Sequence, residues 1–429
     1  MQKRDCKIDL PKIFLYLVWM LLVQCSTFVS LHAQYIDLFQ LEQRLDSIVE
    51  AGRLEGAYPG AQLYIARAGK VLLHKTYGFH TYAQKQAVQK NDLYDLASIT
   101  KVSSGLPLLM KLYGEGKFDL DAPLRRYLPS FRKSNKANLS FREMLSHQAR
   151  LKPYIVYWQN CLKEDKSFKR NTFKHQYSKK YSIKITDNLY LHRRYYKKMY
   201  RAIRDSPLEA QVKYKYSGLL FLLLPKIIEN ISGEDFEDYL RKEILDPIGA
   251  KALLYNPSSV YPLDRIVPTE RDTFFRKQLV HGHVHDEAAA MLDGVSCNAG
   301  LFGTAKDLAK LFQLYLDDGQ YEGRQLISAA AVRAFTQRHY SEHNNRRGLG
   351  FDKPLIEYDP IAAYVARDAP PESYGHSGFT GTFVWADPVH DLLLVFLSNR
   401  VHPYRSSRNL YKLGIRPALH QAIYDAFHR

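Results

Sequence analysis

The chain has 429 residues, of which 46% are hydrophobic and 13% aromatic, and it contains no low-complexity tract, which excludes disordered and fibrous classes. That length can bury a large core and is sufficient for two structural lobes. The formal charge of +17 is concentrated in residues 150–215, where 18 Lys and Arg face 5 Asp and Glu, a surplus of 13.

The segment from Met1 to Ala33 has the pattern of a secretory signal peptide. A basic start precedes the apolar run "IFLYLVWMLLV", and a short polar region ends in "LHAQ". Eleven apolar residues are too few for a permanent membrane helix, and cleavage after Ala33 would suit a signal peptidase. The alternative is lipid attachment at Cys25, although Gln24 fits poorly before that cysteine. We expect export across the inner membrane, most simply to the periplasm.

An amphipathic helix is predicted directly after the leader, in "IDLFQLEQRLDSIVEAGR". Its apolar residues recur at helical spacing: Leu38, Leu41, Leu45 and Ile48. The next stretch, "GAQLYIARAGKVLLHKTYG", alternates apolar and polar residues around Ala68-Gly69-Lys70, and this pattern predicts a β-hairpin.

The end of the chain returns to strands. "TGTFVWADPVHDLLLVFLSN" predicts a hairpin turning at Asp387-Pro388, and a last helix covers about residues 416–427. Helices and loops are predicted over most of the middle. The simplest packing is an α+β fold, in which an antiparallel sheet built from both chain ends is flanked by helices. We assign residues 34–116 and 291–429 to this α/β lobe and 117–290 to a mostly helical lobe, with a site in the cleft between them.

A candidate nucleophile lies in "LASITKVSSG", where Ser98 precedes Lys101 by three residues. On a helix this spacing brings the hydroxyl and the amine to one face, and a lysine kept neutral by burial can take the serine proton. The predicted helix runs to Gly114 and is kinked by Pro107. A second Ser-x-x-Lys, from Ser130 to Lys133, lies in a polar stretch with no helix to carry it, so we reject it.

Two further stretches accompany this pair. "KYKYSGLLFLLLPKIIENISG" places Tyr216 before an apolar helix, and "SYGHSGFTGTFVWADP" places a His-Ser-Gly before a strand. Together with "ITK" they resemble the three sequence elements of the serine β-lactamase and penicillin-binding-protein superfamily. The resemblance is closest to its class C-like branch, which also holds esterases and D-amino-acid peptidases. "GEGKFDLDAPLRRYLP" and "VSCNAGLFGTAKDLAKLFQLYLDDG" extend it over nearly the whole mature chain.

The resemblance implies a role for each element. Ser98 would be the acylated nucleophile, Lys101 its base partner and Tyr216 the residue that shuttles a proton to the leaving group. His376 would flank the oxyanion. Backbone N–H groups of Ser98 and Phe379 would form the oxyanion hole.

The neighbouring residues of the third element, Ser377 and Gly378, would contact substrate. The resemblance implies neither a cofactor nor a metal ion.

Two departures from the family pattern narrow the expected chemistry. The second element usually reads Tyr-x-Asn, but Gly218 here lacks the amide that would bind a substrate carbonyl. His376 replaces the lysine of true β-lactamases, which pairs with a substrate carboxylate. Both favour an esterase or an amide or peptide hydrolase of the envelope. A class C-like β-lactamase, an impaired relative that binds envelope peptides, and a polymer-binding adhesion protein remain as alternatives.

The cysteines and the alternating histidines of the sequence do not predict a catalytic or metal site. Cys161 and Cys297 are expected to be buried free thiols rather than a disulfide. The alternating His281, His283 and His285 could share a strand face, but no metal site is expected.

The basic, tyrosine-rich segment 150–215 predicts a solvated helical insert over the cleft. It could associate weakly with anionic envelope polymers, and no nucleic-acid partner is expected. We expect a monomer acting on a small-molecule or peptide substrate.

Overall fold

A computed structural model describes residues 37–427. The predicted signal peptide and the lipidation alternative at Cys25 lie outside these residues and stay predictions. The described chain is α+β, which confirms the predicted fold class. Between residues 37 and 427, no helix has the length and apolar character needed to cross a membrane.

The longest strands lie near the two ends of the described chain, and short strands lie between them. They are β1 (Gly60–Arg67), β2 (Lys70–Gly78), β3 (Tyr94–Asp95), β4 (Phe173–Lys174), β5 (Ile183–Thr186), β6 (Leu189–Leu191), β7 (Leu254–Tyr255), β8 (Leu301–Gly303), β9 (Gln320–Tyr321), β10 (Arg324–Gln325), β11 (Tyr374–Ser377), β12 (Phe383–Asp387) and β13 (Leu392–Ser398).

The α-helices fill the middle and close both ends. They are α1 (Leu38–Leu54), α2 (Leu106–Gly114), α3 (Leu124–Tyr127), α4 (Phe141–Leu145), α5 (Tyr195–Asp205), α6 (Leu219–Ser232), α7 (Phe236–Leu240), α8 (Glu287–Ala290), α9 (Ala305–Leu316), α10 (Ala329–Thr336), α11 (Asn409–Lys412) and α12 (Ile415–Phe427). The predicted first and last helices correspond to α1 and α12.

The main sheet joins the two ends of the chain. Its five antiparallel strands run in the order β11-β12-β13-β1-β2, and Ala61 of β1 pairs with Ser398 of β13. Both predicted hairpins are present. The first turns through Ala68 and Gly69, whose φ angles of 48° and 68° are left-handed, a conformation that the glycine adopts without strain.

Strand β13 is buried on both faces because helices cover both sides of the sheet. Leu392, Leu394 and Phe396 belong to one hydrophobic core cluster, which includes residues of α1 and α12. The alternate residues Leu393, Val395 and Leu397 belong to a second, larger cluster that includes α9 and the helices around α2. This alternation follows from the two-residue period of a strand, and it gives three layers: helices, sheet, helices.

The predicted helical insert is mostly not helical, which is a correction. Residues 150–215 contain a three-stranded sheet, in the order β4-β6-β5, followed by one helix, α5. Ile183, Ile185, Leu189 and Leu191 of the β5–β6 hairpin are all buried. The lysines and arginines around them set the charge of the segment but do not determine its backbone conformation.

Candidate active site

The Ser98 turn passes into a helix through an irregular segment. A 3₁₀ turn covers Ala97–Ile99, a π-helical turn covers Lys101–Gly105, and α2 follows. Pro107, where the sequence predicts a kink, lies just after this π turn and has no N–H to donate. The Leu106 N–H bonds to the Lys101 carbonyl five residues back. π turns of this kind are frequent at functional sites.

The Lys101 amine is directed at Ser98. Its Nζ lies 3.1 Å from Ser98 Oγ and 2.9 Å from the backbone oxygen of Asn298, and it donates to both. The lysine is only 2% exposed. An amine held within hydrogen-bond reach of a serine hydroxyl is the arrangement that nucleophilic catalysis requires of a general base.

Tyr216 lies close to the same amine. Lys101 Nζ is 5.3 Å from the centre of the Tyr216 ring, and the guanidinium carbon of Arg347 is 5.6 Å from it. Tyr216 is half-buried and lines the same cavity as Ser98 and Lys101. The structure therefore brings three of the predicted catalytic residues to one place.

His376 is close to Tyr216 but does not line the cavity. Its ring centre lies 6.1 Å from that of Tyr216. Nδ1 is 2.8 Å from the Ser377 carbonyl, which can only accept, so Nδ1 carries the proton. Burial, followed by the charges of Arg347 and Lys101, lowers the pKa of His376 from 6.5 to about 3. The imidazole is therefore neutral at pH 7, unlike the lysine that it replaces.

The third sequence element is tied to the Ser98 turn by hydrogen bonds. Thr380 Oγ1 donates to the Asp95 carbonyl over 2.7 Å, and Thr382 Oγ1 donates to the Leu96 carbonyl over 3.0 Å. A Cβ atom on Gly378 would overlap the Thr382 hydroxyl and the Leu96 carbonyl, so this close approach requires glycine. The two segments that the resemblance assigns to the oxyanion hole are held together in this way. The oxyanion role itself stays a prediction.

Asp95 fixes the backbone that precedes the nucleophile. One carboxylate oxygen accepts the Ala97 N–H over 2.8 Å, and the other accepts the His285 N–H over 2.6 Å. Burial raises the pKa of Asp95, and the two backbone donors oppose that effect. Ala97 has a left-handed φ of 48°. Such strain is retained where surrounding contacts over-determine the backbone, as they do here.

The cavity has a volume of about 640 Å³, and the segment Pro153–Gln159 forms one of its walls. Trp158 packs on Phe274 at 4.8 Å between ring centres, and the Arg405 guanidinium lies 4.6 Å from the Phe274 ring. As predicted, the insert contributes to the roof of the site. The contributing segment carries no charged residue, however, so the basic charge of the insert does not line the cavity.

One cation of the cavity wall, Arg405, lies beside the aromatic residues and is paired with two carboxylates. Arg405 Nη2 is 2.6 Å from a carboxylate oxygen of Glu270 and 2.6 Å from one of Glu287. Hydrogen bonds from His285 and Arg405 outweigh burial and lower the pKa of Glu270 to about 2. The Arg405 cation is thus already paired and is a poor receptor for a substrate carboxylate.

Sequence reasoning missed two residues at this site. Asn298 binds Lys101 through its carbonyl, and its side chain lines the cavity. His147 packs against the Tyr216 ring at 4.6 Å. Neither residue type is unusual in its local sequence, "SCNAG" and "LSHQA", and only tertiary contacts identify them.

The three alternating histidines contact three different partners. His281 Nε2 lies 2.7 Å from the Ile266 carbonyl, His283 Nε2 lies 3.3 Å from the Asp187 carboxylate, and His285 Nε2 lies 2.8 Å from that of Glu270. Among residues 37–427, no group of three or more His, Cys, Asp or Glu side chains is placed to hold a metal ion.

The two described cysteines are both free and buried, as the sequence interpretation expected: Cys161 and Cys297. Burial raises the pKa of each thiol. Low thiolate character and burial make both unsuitable as nucleophiles.

Comparisons with known proteins agree with this architecture. A Salmonella gallinarum (strain 287/91 / NCTC 13346) protein named "Putative D-alanyl-D-alanine carboxypeptidase" is 29% identical over 410 residues, covering 87% of each chain. A penicillin-binding-protein homologue from Caulobacter crescentus has 18% identity and a TM-score of 0.62, covering 91% of this chain and 98% of its own.

Two further solved structures share the fold. EstCE1, a hydrolase with promiscuous acyltransferase activity, has 18% identity and a TM-score of 0.63 over 90% of this chain and 100% of its own. The β-lactamase/D-alanine carboxypeptidase from Pseudomonas syringae has 15% identity and a TM-score of 0.63, covering 89% and 98%. The sequence itself matches the Beta-lactamase family over residues 43–415, and the chain therefore belongs to the β-lactamase family of serine hydrolases.

Proposed function

We propose that this protein hydrolyses an ester, or an amide of a D-amino acid, through an acyl-enzyme formed on Ser98. One observation carries the proposal: the Lys101 amine lies 3.1 Å from the Ser98 hydroxyl, in a cavity that also contains the Tyr216 ring. The same cavity has room for a substrate of drug-like size.

The reaction would proceed in two balanced halves. Ser98 Oγ adds to the substrate carbonyl while its proton passes to Lys101, and a tetrahedral oxyanion forms. The carbon–leaving-group bond then breaks, and the leaving group takes a proton delivered through Tyr216. In the second half, water adds to the acyl carbonyl and gives up a proton to the same pair. The bond between the carbonyl carbon and Ser98 Oγ then breaks, Oγ takes that proton back, and the acid is released.

A neutral substrate with a bulky apolar group fits the site best. The walls near Ser98 are built from aromatic and aliphatic side chains: Ile155, Trp158, Leu219, Leu222, Phe274 and Phe379. The cationic partner that a substrate carboxylate would need is missing from the third element, because His376 is neutral. This supports an ester or an uncharged amide over a β-lactam.

A D-alanyl carboxypeptidase activity is the second candidate, favoured by the 29%-identical relative that carries that name. It would require recognition of a terminal carboxylate. Arg405, a cation near the aromatic wall, already contacts Glu270 and Glu287. Comparing a neutral ester with a D-Ala-D-Ala peptide decides between the two candidates.

Labelling with a fluorophosphonate probe tests the nucleophile. We expect one modified peptide, containing Ser98, and complete loss of labelling in Ser98→Ala. Ser130→Ala is the matched control, since Ser130 is the first residue of the rejected Ser-x-x-Lys match, and it should label normally. A modified peptide containing Ser130 or Ser377 instead would refute the assignment.

We also propose that the protein is exported, on the sequence of its leader from Met1 to Ala33. The mature protein from an expressing bacterium should begin at Gln34 and be recovered from the periplasm. Retention of Met1, or radiolabelled palmitate incorporated at Cys25, would contradict cleavage after Ala33.

A further inference from the structure

His147 holds the backbone on both sides of Tyr216. The Lys215 N–H donates to the His147 carbonyl over 3.0 Å. The Ser217 N–H donates to His147 Nδ1 over 3.2 Å. The two rings lie 4.6 Å apart, centre to centre. One residue therefore contacts the tyrosine and both of its neighbours in the chain.

We infer that His147 is a positioning residue for Tyr216, acting through these contacts and not on the substrate. The inference rests on the proposed function, in which Tyr216 delivers a proton to the leaving group. His147 does not line the cavity and is only 2% exposed. Its effect on the reaction must therefore pass through Tyr216.

The hydrogen bond from Ser217 fixes the tautomer of this histidine. A backbone N–H can only donate, so Nδ1 must be unprotonated and Nε2 must carry the hydrogen. Burial, followed by the charges of Arg347 and Lys101, holds the pKa of His147 well below its ordinary value. An imidazolium would carry a hydrogen on Nδ1 directed at the Ser217 N–H, and the contact would be lost.

The backbone conformation of His147 and its ring N–H, unpaired among residues 37–427, both lower the stability of the fold. A residue kept in spite of these two effects is expected to have a specific role. Its φ is 60°, in the left-handed region that non-glycine residues rarely adopt. Its buried Nε2–H has no hydrogen-bond partner among the described residues, and an unsatisfied buried donor destabilises a fold. In this conformation His147 makes its contacts to residues 215–217.

Two substitutions separate the backbone geometry from the hydrogen bond. Asparagine tolerates a left-handed φ and offers a side-chain oxygen at the distance of Nδ1, so His147→Asn retains both features. His147→Gly retains only the backbone freedom. A difference between the two variants therefore reports the side-chain contact with Ser217.

The leaving group distinguishes positioning of Tyr216 from a general structural effect. Nitrophenolate departs without protonation, whereas an alkoxide needs the proton that Tyr216 supplies. The quantity kcat/KM covers only the steps up to release of the leaving group, so it excludes the water step that both esters share. For an ethyl ester we expect His147→Gly to lower kcat/KM by ~10²-fold, the order of magnitude that misplaced proton-transfer groups cost. For the nitrophenyl ester of the same acid we expect kcat/KM to fall by less than ~5-fold, with His147→Asn close to wild type on both esters. Equal losses on the two esters would overturn the inference.

Two measurements test the contact whether or not either ester is hydrolysed. Nitrogen NMR of wild type should show His147 with an unprotonated Nδ1 from pH 5 to 8, and titration near pH 6.5 would overturn the inference. Hydrogen exchange at residues 215–217 should be faster in His147→Gly than in His147→Asn, and equal protection would also overturn it. If wild type hydrolyses neither ester and resists fluorophosphonate, the proposed function fails, while these two measurements still decide the contact.

Discussion

The Lys101 amine joins residues that are far apart in the sequence. It donates to the side chain of Ser98 on its own turn and to the carbonyl of Asn298, which lies 197 residues away. The centre of the Tyr216 ring lies 5.3 Å from the same amine, so this amine lies close to both Ser98 and Tyr216. At the scale of single residues, we therefore expect the contributions of Ser98, Lys101 and Tyr216 to catalysis to depend on one another and not to add independently.

Replacing Lys101 and Tyr216 together tests this dependence. For an ethyl ester we expect Lys101→Met and Tyr216→Phe each to lower kcat/KM by at least ~10²-fold, and the double variant to lose little more than the worse single one. Lys117→Met, at an exposed lysine just beyond α2, is the matched control and should keep full activity. Fully additive losses would show that the two residues act separately.

We expect Gly218 to influence the preference between esters and β-lactams. We expect wild type to hydrolyse nitrophenyl acetate with a higher kcat/KM than a chromogenic cephalosporin. A Cβ at residue 218 would have its nearest neighbours at 3.9 and 4.0 Å, so Gly218→Asn fits without strain at that atom. In Gly218→Asn, kcat/KM for the cephalosporin should come closer to kcat/KM for nitrophenyl acetate. A wild type that prefers the cephalosporin would contradict this interpretation.

At the scale of elements, the wall built by the insert should set acyl-chain selectivity. Trp158 packs on Phe274 across the cavity wall, and removing its ring exposes apolar surface of the site to water. We expect Trp158→Ala to lower kcat/KM for nitrophenyl butyrate by ~10-fold and for the acetate by less than ~3-fold, since a longer chain loses more buried contact. Tyr177→Ala, at an exposed tyrosine of the same insert, should change neither rate.

The elements that could be predicted are those with strong periodicity. The first helix, both long hairpins and the last helix follow from apolar residues repeating at the helix or strand period. The helical prediction for the insert is wrong because charge and tyrosine content carry little information about backbone conformation. The alternation of Ile183, Ile185, Leu189 and Leu191 around Asp187-Asn188 is a hairpin pattern, and it was present in the sequence.

The site could be predicted only in part. Short motifs identify Ser98, Lys101 and Tyr216 because catalysis fixes their local spacing. Asn298 contacts Lys101 through its backbone carbonyl, and His147 contacts Tyr216 through its ring. Neither contact requires a recognisable local motif. The neutral state of His376 depends on burial and on the charge of Arg347, which lies on a different segment of the chain. Such effects follow only from the packed structure.

At the scale of the whole molecule, buried histidines make stability depend on pH. Burial lowers the pKa of His420 from 6.5 to about 3, and the pKa values of His376 and His147 are also lowered. Below pH 6.5 the unfolded chain binds protons that the folded chain excludes. The free energy of unfolding therefore falls as the pH falls from 6.5 toward 3, by up to about 1.4 kcal/mol per pH unit for each histidine.

Urea unfolding at pH 7 and pH 5 measures this loss. His420→Asn keeps an acceptor for the Ala366 N–H but removes one titrating group, so the loss should shrink by about 2 kcal/mol. His343→Asn changes an exposed histidine and should leave the loss as it is in wild type. Equal losses in all three proteins would show that His420 does not contribute.

Strand β13 has a consequence for how the protein is made. It lies between β1 and β12, and the loop that holds the Ser98 turn lies between β11 and β12. A ribosome that has just added Pro370 has already synthesised Ser98, Lys101 and Tyr216 but none of β11, β12 and β13. The nascent chain thus carries the proposed nucleophile without an assembled site, and we expect hydrolysis to begin only after the final strands have been translated and paired with the first.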